Sequence, residues 1–311
     1  MGVWQSESKL DVRALAALAF VSVAFGGGYI GTAAALSSGF GPLWFQASRL
    51  LVASAVLLVV SYRLRLRFPP LRGVAVTGLM GWSVGIGLQT IAQQTVSPGA
   101  TALIVGTGPL IAVGLDSMVG RVLPAPRQVV GLALGMVGLT LLLGSAPTVE
   151  PAMILVLIAC IGWSAASVME SRRRDGSHPL TVAAVQMAIG GLGLVAFAVA
   201  RGEPLPTAVS PYGWLGWAWL AFACATVGMP LWLWVLGRLP MPVAMLQSSA
   251  SPAVAVCGGA LLFGERWTAP GLVGMVLVLC AAAVTLGSLP LPVRMRAAGR
   301  RVARMRIGSR P

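Results

Sequence analysis

Residues 242–288 read PVAMLQSSASPAVAVCGGALLFGERWTAPGLVGMVLVLCAAAVTLGS and decide the fold. Two apolar runs flank the short polar turn FGERWT, and each run is close to the length of about 20 residues that a helix needs to cross a bilayer. The stretch therefore predicts two membrane-spanning helices joined by a tight turn. Ser251 and Pro252 lie within the first run, where the proline removes a backbone donor from the helix interior.

The same pattern fills almost the whole chain. Its 311 residues are 57% hydrophobic and only 10% charged, whereas a soluble domain carries about 25% charged residues. Too little polar surface is available for a water-exposed globule, so the sequence predicts ten membrane spans. The predicted spans are Arg13–Leu36, Pro42–Tyr62, Arg72–Gln93, Gly99–Val119, Pro126–Ser145, Pro151–Ser171, Leu180–Ala200, Tyr212–Leu236, Pro242–Phe263 and Thr268–Leu289.

The second five spans repeat the order of the first five. Three pairs keep one spacing between the halves: Pro109 and Pro252, Gly131 and Gly274, and Gly144 and Gly287. Because each half has an odd number of spans, the second half enters the membrane upside down relative to the first. The sequence therefore predicts an all-α integral membrane protein of ten transmembrane helices in two inverted five-helix repeats, 1–147 and 148–290, followed by a basic cytoplasmic tail, 291–311.

The positive charge is distributed as in a membrane protein. A formal net charge of +14 would also fit a nucleic-acid-binding protein. Of the 22 lysines and arginines, however, only Arg49, Arg201 and Arg266 lie outside the loops and ends that share one side of the predicted membrane. Lys and Arg in short loops mark the cytoplasmic side, which predicts a multi-pass protein of the bacterial plasma (inner) membrane with both termini cytoplasmic. The basic tail is expected to bind anionic lipids of the inner leaflet, not nucleic acid.

Other functional classes lack their signatures in this sequence. The four cysteines fall inside predicted spans without metal-ligand spacing. There is one histidine and no pair of carboxylates within a span, although a membrane enzyme needs grouped catalytic residues. No Gly-x-x-x-x-Gly-Lys-Ser/Thr loop for ATP is present. The sequence therefore indicates no catalytic residue, no metal and no cofactor.

Short motifs occur in a recognisable order along these spans. The first span contains Phe25-Gly26-Gly27-Gly28-Tyr29, the second contains Arg49, the sixth contains Gly162-Trp163-Ser164-Ala165, and the ninth and tenth are joined by FGERWT. Over residues 12–289 this order resembles the EamA family of the drug/metabolite transporter superfamily. One departure is Val119-Gly120-Arg121-Val122, which lacks the carboxylate of the family's Gly-Glu-Arg. The resemblance implies a secondary transporter that exports or exchanges a small metabolite, with amino acids the commonest suggestion.

Arg49 is the most conspicuous polar residue within a span. Ionisable groups inside a membrane are costly and usually functional. One interpretation makes Arg49 an anchor for a substrate carboxylate or other anion. The other makes it a structural or gating arginine that binds helix ends or backbone carbonyls, since it also resembles a position common to the family. Both interpretations stay open at this point.

Other polar residues point to a path for the solute. Gln89 and Gln93 share a face of the third span, because residues four apart are neighbours on a helix. They either contact a solute or tie helices together. Trp163 in the sixth span and Gln186 in the seventh are further candidates for contact with a ligand.

The helix breaks of the two halves indicate a binding site. In the ninth span Gln247, Ser248 and Ser251 precede Pro252, and Thr107 with Pro109 is the counterpart in the fourth span. Paired breaks of this kind are the best sequence pointer to the site of a transporter with inverted repeats. Kinks also serve packing alone, so this assignment remains an expectation.

Asp116 is the carboxylate that the sequence places within a span. It is either a proton site for coupling or the partner of nearby arginines, Arg121 or the run 63–67. The glycine-rich fifth and tenth spans suit close helix packing, as scaffold or as the contact of a homodimer.

The predicted function is export of amino acids or related compounds by alternating access. One alternative is efflux of small cationic or drug-like compounds. Related four-span exporters use a glutamate in the first span for this purpose, and none occurs between Arg13 and Leu36. A translocase for a lipid-linked substrate is the other alternative.

Overall fold

A computed structural model describes residues 12–96, 101, 104–106, 108–120, 126–143, 151–248, 250–251 and isolated positions between 269 and 284. All regular secondary structure among these residues is helical. The helices are α1 Val12–Ser37, α2 Pro42–Arg63, α3 Leu71–Ala92, α4 Gly108–Gly120, α5 Pro126–Leu143, α6 Met153–Ser171, α7 Pro179–Ala200, α8 Pro211–Leu236 and α9 Met241–Ala244.

Six of these helices, α1, α2, α3, α6, α7 and α8, are long and apolar enough to cross a membrane. The prediction of an all-helical membrane protein is therefore confirmed. Proline opens α2, α7 and α8 at Pro42, Pro179 and Pro211. A proline is favourable there because the first turn has no helical partner for its missing N–H.

The loops gather at two opposite ends of the helix bundle. At one end, here called the arginine-rich end, the loop after α2 meets the loop before α7. The carbonyl of Arg67 accepts hydrogen bonds from the amide of His178 at 3.3 Å and from the hydroxyl of Thr181 at 2.8 Å. Since α2 ends and α7 begins at this end, the two helices run in opposite directions.

The other end, here called the Glu203 end, joins the loops before α2 and before α8. The Glu203 carboxylate accepts hydrogen bonds from the amides of Leu43 at 2.9 Å and Trp44 at 3.0 Å, in the first turn of α2. A negative charge is favourable at a helix N-terminus. The turn needs Gly39, whose φ is +98°, because a Cβ there would lie 2.6 Å from the carbonyl oxygen of Ala208.

The packing pairs the first half of the chain with the second. Helix α2 packs along α7, α1 packs against α8, and α3 packs against α6. Small residues bring these pairs close: a Cβ on Gly216 of α8 would lie 2.4 Å from the carbonyl oxygen of Gly31 of α1, and one on Gly162 of α6 would lie 2.9 Å from that of Met80 of α3. The first helix of each half thus contacts the third helix of the other.

Two long helices contain π-helical segments, which the sequence analysis did not predict. They cover Leu79–Ile86 in α3 and Trp219–Gly228 in α8. Each lies in the third helix of its half of the chain. Segments of π-helix are rare and are frequently found at functional sites, and both of these contribute residues to the cavity described next.

Candidate solute-binding site

A cavity of about 120 Å³ lies where the two halves of the chain meet. Helices α1, α2 and α3 of the first half line it together with α6 and α8 of the second half and the chain beside α4 and α9. Five residues predicted from the sequence converge on this central cavity. They are Arg49, Gln89, Trp163, Gln247 and Ser248.

Arg49 of α2 is the charged group of this cavity and is only 4% exposed. Its Nε donates a hydrogen bond to Oε1 of Gln46. The amide nitrogen of Gln46 donates to the Thr90 hydroxyl at 2.7 Å, which donates to the carbonyl of Ile86 at 2.8 Å. This chain of hydrogen bonds fixes the guanidinium group from one side.

The opposite edge of the guanidinium group has no protein counter-charge in the described part of the chain. There, no carboxylate lies within ion-pairing distance of Arg49, and no hydrogen bond from its two terminal nitrogens is found. The Trp82 ring lies 5.7 Å from the guanidinium carbon. A cation–π contact of this kind compensates only a small part of the cost of burying a charge.

The helix breaks border the cavity. Residues 104 and 105 are helical, Gly106 forms a turn, and α4 begins at Gly108. Pro109 therefore lies in the first turn of α4, while Thr107 falls outside the described residues. The carbonyl of Gly108 accepts a hydrogen bond from the Ser164 hydroxyl of α6 at 3.3 Å, which satisfies a backbone group beside the break.

A second break lies after α9. This helix ends at Ala244, Met245 forms a turn, and residues 246–248 are helical again. Gln247 donates to the Ser251 hydroxyl at 2.8 Å, and that hydroxyl lies 3.2 Å from the carbonyl of Ser22 in α1. These bonds hold the Gln247 side chain at the cavity wall. Pro252 falls outside the described residues.

Gln93 lies closer to the Glu203 end than Gln89 does. It lines a second cavity of about 400 Å³, whose wall also includes Tyr29 and Phe40. Among the described residues Oε1 of Gln93 is buried without a hydrogen-bond partner. Tyr29 belongs to the walls of both cavities, so the second cavity lies next to the central one on the side of the Glu203 end.

Two tryptophans line the central cavity on the side nearer the arginine-rich end. The rings of Trp82 in α3 and Trp163 in α6 meet edge to face, with centroids 5.4 Å apart. Trp82 also lines the central cavity, although the sequence analysis did not single it out. An aromatic residue in an apolar helix carries no signal of its own that separates a cavity wall from ordinary packing.

Gln186 does not line the cavity but belongs to a buried polar cluster nearer the arginine-rich end. This cluster, here called the Glu170 cluster, consists of Thr77, Glu170, Arg173, Asp175 and Gln186. Glu170 Oε1 accepts hydrogen bonds from Thr77 at 2.6 Å and Gln186 at 2.9 Å, and Arg173 binds both carboxylate oxygens of Glu170 at 2.7 and 2.8 Å. Glu170 is only 8% exposed.

Electrostatic interactions hold the outer part of this cluster. The hydrogen bond to Glu170 raises the pKa of Arg173 above its usual range. Burial raises the pKa of Asp175, but hydrogen bonds from Ser177 and Arg173 outweigh it and lower that pKa to about 2. Glu170, which was not predicted as a site residue, lies near the end of α6, so Asp116 is not the only carboxylate within a span. Glu170 and Arg173 are three residues apart at the end of α6, a spacing that permits an ion pair but says nothing of its burial.

Asp116 lies near the arginine-rich end of α4, away from the residues that line the central cavity. It forms an ion pair with Arg172 at 2.7 Å, and the two side chains are 33% and 37% exposed. Arg172 is not among the arginines that the sequence analysis named as partners. The sequence missed this partner because Arg172 follows α6, which packs against α4 only in the folded chain.

A bundle of long apolar helices with a cavity between its halves is the architecture expected of a membrane transporter. The chain belongs to the EamA-like transporter family, whose model matches residues 13–144 and 150–287 as two copies. It is therefore a multi-pass inner-membrane transporter and not an enzyme. The resemblance inferred from the motifs is confirmed.

Similar proteins support this assignment. The chain is 29% identical over 264 residues to the uncharacterized inner membrane transporter YedA of Escherichia coli K12, covering 81% of this chain and 84% of that protein. It is 22% identical to the uncharacterized transporter YoaV of Bacillus subtilis, covering 77% and 85%. One protein crystal structure has the same fold, with a TM-score of 0.71, 21% identity and coverage of 90% of this chain and 98% of that one.

Proposed function

We propose that this protein is a secondary transporter that exports amino acids or related small metabolites across the plasma membrane by alternating access. The observation that carries the proposal is the central cavity, which lies between the two halves and contains the buried Arg49. Substrate sites of transporters with inverted repeats lie near the membrane midplane at the repeat interface. One half rocking against the other would expose this cavity to each side in turn.

The proposed topology has ten crossings in two inverted repeats, 1–147 and 148–290, with a basic tail at 291–311. The opposite directions of α2 and α7 support the inversion. Since arginine-rich loops remain cytoplasmic, the arginine-rich end and both termini are placed inside. The Glu203 end then faces outwards, and the tail contacts the anionic inner leaflet. The apolar α5, part of the fifth span, is proposed as scaffold or as the contact of a homodimer.

The charge of the cavity favours this proposal over efflux of cationic compounds. Among the described residues, those that line the cavity include Arg49 and no aspartate or glutamate. A cationic drug would therefore meet a like charge with no compensating carboxylate. A lipid-linked substrate remains an alternative, since aromatic residues such as Trp82 and Trp163 also border the cavity. Asp116 is either a site of proton coupling or, as its 2.7 Å ion pair with Arg172 favours, a structural residue.

Counterflow in proteoliposomes tests the proposed function. The purified protein is given a panel of labelled amino acids, amines and carboxylates, with Arg49→Ala and Gln247→Ala beside the wild type. Arg72→Ala is the matched control, because Arg72 is exposed in the first turn of α3. Exchange of amino acids by the wild type and the control, lost in both cavity variants, is the expected result. Exchange of amines alone would support cation efflux instead.

A further inference from the structure

We propose that a solute carboxylate must neutralise Arg49 before the cavity can reorient, so that the protein exchanges solutes much faster than it carries them in one direction. The proposal rests on the transport function proposed above and adds the chemical group that is recognised and the mode of transport. It also assigns Gln46 and Thr90 as positioning residues for Arg49.

The guanidinium group of Arg49 is held by the protein on its Nε side. Gln46 occupies the Nε side of Arg49, and Thr90 holds Gln46 through a 2.7 Å hydrogen bond. Arg49 belongs to the cavity wall, and among the described residues no hydrogen bond from its two terminal nitrogens is found. The edge formed by these two nitrogens has the fork geometry that binds a carboxylate through two parallel hydrogen bonds. The relay therefore presents Arg49 to a carboxylate of the solute.

The positive charge of Arg49 is not balanced by a carboxylate of the described residues. An ionised group in a membrane is normally paired with another residue or faces a water-filled space. Among the described residues Arg49 has no carboxylate partner. The Glu170 cluster lies beyond the Trp82–Trp163 contact and uses its carboxylates for Arg173. The counter-charge for Arg49 must therefore come from the solute or be replaced by solvent.

Reorientation of the cavity changes the surroundings of Arg49. Alternating access passes through a state in which the cavity is closed at both ends. Closing an empty cavity removes solvent from Arg49 and leaves a buried charge without a partner, which is strongly unfavourable. Closing the cavity around a carboxylate leaves the charge paired. The loaded protein should therefore reorient readily and the empty protein slowly, which favours exchange over net flux.

Proteoliposomes test this inference through the ratio of exchange to net flux. Uptake of each labelled amino acid is measured with the same unlabelled solute inside the vesicles and with none inside, at a clamped membrane potential. Each transported amino acid is compared with its amide, in which a neutral group replaces the carboxylate. In the wild type we expect exchange to be at least tenfold faster than net uptake, and the amide to be carried at least tenfold more slowly.

Variants separate recognition from structure. Arg49→Gln should lower exchange at least tenfold and bring the ratio of exchange to net uptake close to one. Thr90→Val should raise the half-saturating concentration several-fold and leave maximal exchange nearly unchanged, because it acts only through Gln46 and Arg49. Arg72→Gln should match the wild type in every measurement. Size-exclusion profiles and melting temperatures show whether each variant is folded.

Three outcomes would overturn the inference. Net uptake as fast as exchange in the wild type would exclude a reorientation step that needs an occupied site. Equal transport of an amino acid and its amide would exclude recognition of the carboxylate. In both cases flux is observed, so the proposed transport function stands. No flux of any amino acid by folded wild-type protein would overturn both proposals together.

Discussion

Arg49 and Gln186 occupy the same register in the second helix of each half, equally far from the prolines that open α2 and α7, yet their surroundings differ. Arg49 borders a cavity and has no counter-charge among the described residues. Gln186 belongs to the Glu170 cluster, in which the charges of Glu170, Arg173 and Asp175 are paired. Burial of a polar group is therefore not enough to mark a functional site, and the state of its pairing is the better guide.

The two regions also lie on opposite sides of the Trp82–Trp163 contact. Tyr29 lines both the cavity with Arg49 and the second cavity nearer the Glu203 end. The Glu170 cluster fastens α3, α6 and α7 together nearer the arginine-rich end. The unpaired charge thus borders a cavity, while the paired charges hold helices together nearer the arginine-rich end. Substitutions at four positions test this difference between the two regions.

Glu170→Ala should have the largest effect on stability. It leaves Arg173 and the buried Thr77 and Gln186 without their shared acceptor, and breaking one partner of a buried ion pair costs about 3–5 kcal/mol. Thermal melting in detergent measures the loss. Glu170→Gln keeps an oxygen that accepts hydrogen bonds and should lose clearly less. A Glu170→Ala protein that melts with the wild type would show that the cluster does not hold the bundle.

Arg49→Leu should give the opposite result for stability. Removing a buried charge that lacks a counter-charge removes its desolvation cost, which offsets the loss of the hydrogen bond to Gln46, so the free energy of unfolding should stay nearly the same. Transport should nevertheless be lost. The same melting assay, combined with counterflow, measures both quantities. A loss of stability as large as that of Glu170→Ala would make Arg49 a structural residue like those of the cluster.

Asp175 gives a smaller effect that depends on pH. Its folded pKa of about 2 lies below the ordinary value of 3.8, so the ionised carboxylate stabilises the folded state. This stabilisation is complete above about pH 4 and is lost as the pH falls towards 2. Asp175→Asn should be less stable by about 1 kcal/mol at neutral pH, as expected for a partly exposed ion pair. The two melting curves should converge near pH 2, and a constant difference would contradict this role.

Long apolar runs made much of the fold predictable from the sequence. Predicted span Pro42–Tyr62 corresponds to helix Pro42–Arg63, because its opening proline marks the start and a basic residue marks the end. Polar residues such as Arg49 and Gln247 were recognisable as site candidates because ionisable and amide groups are rare inside membranes. Both of them line the central cavity.

The features that were missed depend on contacts between distant helices. Buried Glu170 accepts hydrogen bonds from Thr77 of α3 and Gln186 of α7. The local sequence of α6 does not predict either partner. The same tertiary contacts place Gln186 away from the cavity. The π-helical segments in α3 and α8 depend on backbone hydrogen bonding, which hydrophobic periodicity does not report.

Asp116→Asn should have the smallest effect on stability, and it tests whether a paired but exposed carboxylate can take part in transport. Asp116 is paired, like Glu170, but its ion pair with Arg172 is about one-third exposed, and such pairs contribute only about 0–1 kcal/mol. Melting should therefore change little. Transport at several pH values decides the remaining role. Because Asp116 is paired with Arg172, we expect the pH dependence of transport to be unchanged in Asp116→Asn. If a folded Asp116→Asn protein lost the pH dependence of transport, Asp116 would be the proton site, and an exposed ion pair would also carry function.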